Sequence, residues 1–177
     1  MKKNIILTGE PGSGKSTLLI KVVEELQKWR ANICHGFFTQ EIKRYGKRVG
    51  FKIAGTVIAH VDSESKIRVS RYGVETNRIS NIALGEIIMI PRETGRILYL
   101  DEIGQMQLNS QIFKKLVKRY LDSTNICIAT LSSVYHSQFT RAVRKRKDIE
   151  IITVTPENRE ELKQLLIILV HKYYSEK

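Results

Sequence analysis

Residues 9–17, GEPGSGKST, decide how the rest of the chain is read. They spell the P-loop pattern: Gly9, four residues, then Gly14-Lys15-Ser16. The pattern needs a strand before it and a helix after it, and both are legible. Ile5, Ile6, Leu7 and Thr8 form a short apolar run that ends at the loop and reads as a buried strand. From Ser16 onward, Leu18, Leu19, Val22, Val23, Leu26 and Trp29 recur at helical spacing, with Lys21, Glu24, Glu25 and Lys28 opposite. Glycines let such a loop bend and turn its N–H groups inward. The positive end of the following helix then faces an anion. The expected phosphate cradle is Gly9, Glu10, Pro11, Gly12, Ser13, Gly14, Lys15, Ser16 and Thr17. Lys15 is the expected catalytic cation on the β- and γ-phosphates, and the Ser16 hydroxyl is an expected Mg²⁺ ligand. Thr17 is expected at the α-phosphate. The bland alternative is a glycine-rich turn without a ligand.

Outward from the loop, strand and helix signals alternate. Residues 32–39 (NICHGFFT) read as a strand. Residues 40–72, rich in β-branched residues and charge, read as two or three antiparallel strands in a hairpin extension, with turns at Tyr45-Gly46 and Asp62-Ser63. A helix is expected over 79–90, with Ser80 as N-cap and Pro91 near its end. Residues 97–100 (ILYL) form a second buried strand, followed directly by Asp101-Glu102. Asn109 or Ser110 can cap a helix bearing Ile112, Phe113, Leu116, Val117, Tyr120 and Leu121 on one face. Residues 125–131 (NICIATL) are a third buried strand and 149–154 the last. A basic helix is expected over 136–146. Thr155 as N-cap and Pro156 at the first helical position open the final helix. Continuous apolar strands alternating with amphipathic helices imply an α/β fold, a P-loop NTPase-type parallel sheet flanked by helices on both faces. One domain is expected over 1–177. Ligands bind such sheets outside the carboxyl ends of the strands. Gly9, Asp101, Glu102, Thr130 and Thr155 all fall at those ends.

Asp101 closes an apolar strand, where a carboxylate needs a cation or a cap. It is the expected second Mg²⁺ residue, the Walker B position; capping the next turn is the alternative. Glu102, one residue beyond, is placed to orient a water or take its proton during attack on a γ-phosphate, and is a candidate catalytic base. A Glu without a role is the alternative.

Composition bounds the partners. Thirty Lys and Arg against 18 Asp and Glu give +12, which attracts polyanions without defining a site. The densest knot, 141–147 (RAVRKRK), reads first as a solvated helix face. No apolar run reaches membrane-spanning length. The short apolar run near Met1 is too brief for a signal peptide, and the two cysteines, Cys34 and Cys127, read as small core residues. A cytoplasmic monomer is the expectation. The four histidines show no metal-binding spacing.

The chain resembles the Thep-type nucleoside-triphosphatases over nearly its whole length. TGEPGSGKST at 8–17 is similar to that family's P-loop, GFFTQEI at 36–42 and GKRVGFKI at 46–53 to its hairpin block, and RYGV at 71–74 to a short signature. LDEIGQMQL at 100–108 resembles its Walker B block, and TPENRE at 155–160 the motif opening its last helix. The resemblance implies Mg²⁺-dependent hydrolysis of ATP, GTP and other nucleoside triphosphates to diphosphate and phosphate, with low base selectivity. It also implies that Leu100, Asp101, Glu102, Ile103, Gly104, Gln105, Met106 and Gln107 line the nucleotide. Where the family carries Lys and then Glu, Gln105 and Gln107 stand here. An amide at 105 donates a hydrogen bond without a full charge near the expected γ-phosphate.

Asn158 and Arg159 are expected beside the crevice, where they could meet base or ribose; Asn158 could instead cap its own helix. Arg144 is the first candidate for the cation on transition-state charge, with Arg159 and Arg44 behind it. Two other function classes remain open. A nucleotide or small-molecule kinase would use the same loop. A nucleic-acid-interacting ATPase would fit +12, though no aromatic platform accompanies the basic residues.

Overall fold

The computed structural model describes residues 2–90 and 95–175. Five parallel strands form its centre: β1 (Asn4–Thr8), β2 (Cys34–Arg44), β7 (Ile97–Ile103), β8 (Ile126–Leu131) and β9 (Ile149–Thr153), in the order β2-β7-β8-β1-β9. Every residue of β1 and β8 is buried, which explains why their sequences are apolar without alternation. Period-two geometry sends Ile5 and Leu7 to one face and Ile6 to the other. On the first face, helix α1 (Lys15–Trp29) packs with α5 (Arg159–Ser175) through Leu18, Leu19, Val22, Leu26, Leu162 and Leu166. On the second, α2 (Thr76–Met89), α3 (Gln111–Asp122) and α4 (Gln138–Arg144) bring Ile79, Phe113, Leu116, Tyr120 and Val143 against Ile6, Leu98 and Ala129. The expected α/β sheet, covered on both faces, is present.

The antiparallel part is larger than expected. β2 does not stop at Thr39 but runs on to Arg44, pairing in parallel with β7 over residues 34–38 and antiparallel with β3 (Lys47–Ile53) beyond. β4 (Thr56–His60), β6 (Tyr72–Val74) and β5 (Arg68–Val69) follow outward, so the wing ends at Val74 rather than 72. The RYGV signature contains the β6 strand, Tyr72–Val74. A side chain at Gly73 would come within 2.8 Å of the Ser63 carbonyl oxygen, so glycine lets the two segments close. The Tyr45-Gly46 turn lies where expected, both residues at positive φ.

Two helix starts differ from the expectation. α2 begins at Thr76, because Ser80 does not cap it. Its hydroxyl donates back to the Thr76 carbonyl at 2.8 Å and pairs with the Ser110 hydroxyl at 2.8 Å. Pro91 lies outside the described residues. α5 begins at Arg159, with Pro156, Glu157 and Asn158 forming the turn before it. Ser110 caps α3 as expected, accepting from the Phe113 N–H at 3.1 Å. Cys127 is buried, Cys34 only partly so. Among the described residues no helix is long and apolar enough to cross a membrane.

Candidate functional site

The glycine loop leaves β1 at its carboxyl end and enters α1 at Lys15. Gly14 caps the helix with φ +92°; a Cβ there would lie 2.6 Å from the Arg159 side chain, which packs over the loop. Gly9, at φ +146°, passes so close to β9 that a Cβ would sit 2.3 Å from the Val154 carbonyl oxygen. The Lys15 amine folds across the loop and donates to the Gly9 and Glu10 carbonyls, each at 2.9 Å. A lysine so tethered spans the loop mouth, and an arriving phosphate would compete with those two carbonyls for its protons.

Asp101 meets the cradle from across the sheet. β8 lies between its strand, β7, and the loop strand, β1. The β7–β8 register slips after Leu100, where Leu100 faces Ala129 but Ile103 faces Leu131. The slip takes Asp101 and Glu102 out of the β7–β8 ladder, while Asp101 still faces Phe38 of β2; the strand does not end at Leu100 as expected but runs through both carboxylates to Ile103. Asp101 is only 2% exposed, yet its Oδ1 accepts from Ser16 Oγ at 2.8 Å and Thr130 Oγ1 at 2.6 Å. Its backbone carbonyl accepts from Thr39 Oγ1 at 2.5 Å. Burial pushes the carboxyl above its usual range, opposed by the Thr130 and Ser16 hydroxyls, Lys15 and Thr39. Its Oδ1 thus has two hydroxyl donors, with Lys15 a cation acting on the carboxyl from the loop.

Glu102 shows the same direction for a second reason. Burial raises it first, the neighbouring Asp101 charge adds to the rise, and Lys15 opposes it. A Cβ on Gly104 would lie 2.6 Å from Glu102 Oε1 and 3.1 Å from Gln107 Oε1. Glycine at 104 therefore admits the Glu102 carboxylate. Gln107, almost fully buried, donates through Nε2 to Thr39 Oγ1 at 3.0 Å. A relay thus runs from Gln107 to Thr39 to the Asp101 backbone, and a carboxylate at 107 could not start it, having no proton to donate. Gln105 is exposed and Met106 partly so. Leu100 and Ile103 are core side chains, so only their backbone can face a ligand.

The remaining candidates separate. Arg144 lies beside the loop, its Nη2 donating to the Ser132 carbonyl at 3.1 Å. Arg159 covers Gly14 and donates to the Pro156 carbonyl at 3.3 Å. Arg44 sits at the tip of the β2–β3 hairpin, 3.7 Å from Asp62. Asn158 takes the capping alternative: its Oδ1 accepts from the Thr155 N–H at 2.9 Å and its Nδ2 donates to the Thr153 carbonyl at 3.0 Å. Of the basic knot, Arg146 is not a solvated charge; it bridges Asp148 and Asp122 at 2.8 and 2.7 Å.

Two hollows flank the loop. A cavity of about 460 Å³ lies between Thr8, Gly9, Glu10 and Ser13 on one side and Ser133, His136, Arg144 and residues 153–156 on the other. A smaller one, about 140 Å³, is lined by Thr17, Leu18, Lys21, Arg159 and neighbouring residues of the final turn. Thr39 is absent from the sequence reading of the site, and Thr130 enters it only as a crevice-facing strand end without a role; here both donate to Asp101. Thr130 was recognisable as a polar strand end; nothing local marks Thr39.

A glycine loop at the carboxyl end of a central parallel strand, with the serine of its helix bonded to a buried aspartate late in strand β7, defines a P-loop nucleotide-binding protein. A family model described as NTPase matches residues 4–167, and the chain belongs to that family. It is 36% identical over 164 residues to nucleoside-triphosphatase THEP1 of Methanocaldococcus jannaschii, covering 89% of this chain and 91% of that one. It is 31% identical to a cancer-related nucleoside-triphosphatase homolog of Mus musculus, over 96% and 97% of the two chains. Among solved structures, a human cancer-related nucleoside triphosphatase superposes with a TM-score of 0.80 at 30% identity, covering 96% and 98%. THEP1 from Aquifex aeolicus superposes with a TM-score of 0.75, also at 30% identity, covering 94% and 98%.

Proposed function

We propose that the chain hydrolyses the β–γ anhydride of nucleoside triphosphates, with Mg²⁺ and little base selectivity. The observation that carries this reading is the contact of Ser16 with Asp101 beside Glu102. It joins a phosphate cradle, a metal-competent carboxylate and a water-handling carboxylate in one place. The names of the relatives point the same way.

The donor set suits a hard cation. Ser16 Oγ and the Asp101 carboxylate are oxygen ligands. Among the described residues no group of three or more His, Cys, Asp or Glu could hold a metal. An Mg²⁺ ion here would complete its shell from water and the nucleotide phosphates, as that ion usually does. When bound it neutralises charge on the β- and γ-phosphates.

The protein's own groups do the rest. Backbone N–H groups at the start of α1 hold the phosphates, and the Lys15 amine moves from the Gly9 and Glu10 carbonyls to phosphate oxygen. Glu102 orients a water and accepts its proton. Burial and the Asp101 charge make Glu102 a stronger base than an exposed carboxylate. Arg144 is the arginine in the wall of the larger cavity. Arg159 and the smaller hollow beside Thr17 are set for ribose and base.

Glu102→Gln tests the assignment. The variant should bind Mg²⁺–nucleotide as the wild type does while phosphate release falls about 10²- to 10⁴-fold. A Glu102→Gln enzyme with full turnover removes the base. Loss of ATP only when an acceptor is added would favour a kinase instead.

A further inference from the structure

Gln107 is almost fully buried, and the two ends of its amide have different neighbours. Nε2 donates to Thr39 Oγ1 at 3.0 Å. Thr39 places its single hydroxyl proton on the Asp101 carbonyl, 2.5 Å away. The Thr39 oxygen therefore has no proton left for Gln107 and only accepts from it. That fixes which way the amide lies: nitrogen toward Thr39, Oε1 turned from it.

Oε1 then meets the space beside Gly104, where Glu102 also arrives. The point that a Cβ on Gly104 would take is 3.1 Å from Gln107 Oε1 and 2.6 Å from Glu102 Oε1. The two oxygens thus stand no more than about 6 Å apart, a gap that one water spans with two hydrogen bonds. Among the described residues neither oxygen accepts a hydrogen bond from the protein. Neither belongs to the fully buried polar atoms left without a partner, so both keep an opening to solvent. Two acceptors sharing one space call for a donor with two protons, and water is the smallest such donor.

We propose that Gln107 Oε1 is the second holder of the attacking water, gripping the proton that Glu102 does not take. This rests on the hydrolysis reading. A water held by one carboxylate still swings about that bond. Held at both protons, it turns its free lone pair in one direction, which is the orientation that in-line attack requires. The water oxygen bonds to the γ-phosphorus as the bond to the bridging oxygen breaks, and the diphosphate leaves with that electron pair. One water proton passes to Glu102. The other stays on the new phosphate and is released from Gln107. An amide suits this post because it accepts without adding negative charge beside an anionic substrate.

Capture of aluminium fluoride by the full chain, loaded with Mg²⁺ and nucleoside diphosphate, tests the proposal. The bound fluoride imitates the phosphoryl group in flight with its water in place, and the titration needs no turnover. Gln107→Met removes the acceptor at similar size. It should weaken capture, and lower kcat, by about three- to tenfold, the size of one hydrogen bond. Mg²⁺–diphosphate affinity and KM should stay at wild-type values. Should the Met variant fail to fold, Gln107→Asn decides; it keeps the amide, draws its oxygen back by one methylene, and should weaken capture likewise. Wild-type capture in the folded variant overturns the proposal. So does diphosphate affinity that falls in step with capture, since that marks a residue serving only the seat of Asp101. A third result also overturns it: an unchanged plateau rate whose acid limb moves to lower pH, as expected if a protonated Glu102 donated straight to Gln107. A wild type that neither captures aluminium fluoride nor releases phosphate sinks the hydrolysis reading and this with it. Capture and turnover indifferent to position 107 sink this proposal alone.

Discussion

Replacing Thr130 by valine isolates the strength of the Asp101 site. Thr130 is fully buried, and its hydroxyl donates to Asp101 Oδ1 at 2.6 Å. Valine keeps the branched shape and removes only the donor. A hydrogen bond to an ionised group contributes about 1.5–3 kcal/mol. Its loss lifts the Asp101 carboxyl further in the direction that burial already takes it, so the variant holds less of its carboxylate ionised at a given pH. Outer-shell losses of this kind cost about 10- to 100-fold in metal affinity or activity. The assay is phosphate release at saturating nucleotide, titrated with Mg²⁺ at several pH values. Thr130→Val should need more Mg²⁺ for half-maximal rate, and the deficit should shrink as pH rises. Thr130→Ser, which keeps the hydroxyl, should stay near wild type. A valine variant with the wild-type Mg²⁺ requirement at every pH would refute the reasoning, as would a serine variant equally impaired.

Three further outcomes are expected. Lys15→Ala loses two bonds inside the loop and its charge on the phosphates; nucleotide affinity, read by fluorescence titration, should fall roughly 100-fold or more. Asp101 and Glu102 both have raised folded-state values, so each favours folding below the ordinary carboxylate range, a contribution lost as pH rises through the raised value. Melting temperatures should therefore show a Mg²⁺–diphosphate shift that grows with pH through that window, and a pH-independent shift would contradict it. Gly36→Ala should destabilise by about 2–4 kcal/mol, because its Cβ would lie 1.9 Å from the Tyr99 carbonyl at φ +149°. Urea unfolding with an unchanged slope is the check.

The sequence was most legible where the determinants are local. The glycine loop, the amphipathic α1 and α3, the Ser110 cap and the strand carrying Asp101 each follow from a few neighbouring residues. The contacts that hold Asp101 are long-range: Thr39 and Thr130 are 62 and 29 residues away from it in sequence. A lone threonine at a strand end has no local mark of its partner. Ser80 misled because its hydroxyl can bond forward as a cap or back to a carbonyl, and the Ser110 hydroxyl beside it accompanies the second choice. β2 was cut short because its apolar half faces the core and its polar half faces the wing, so two patterns occupy one strand.

That shared strand has a mechanical consequence. Thr39 stands at the changeover: it steadies the Asp101 backbone while pairing with Ile53 of the neighbouring ribbon. Tension or damage in the antiparallel ribbon is transmitted along one continuous backbone to the aspartate's seat. Excising residues 47–74 would thus remove more than an ornament; it would leave the far half of that strand without its partner while the near half steadies the chemistry.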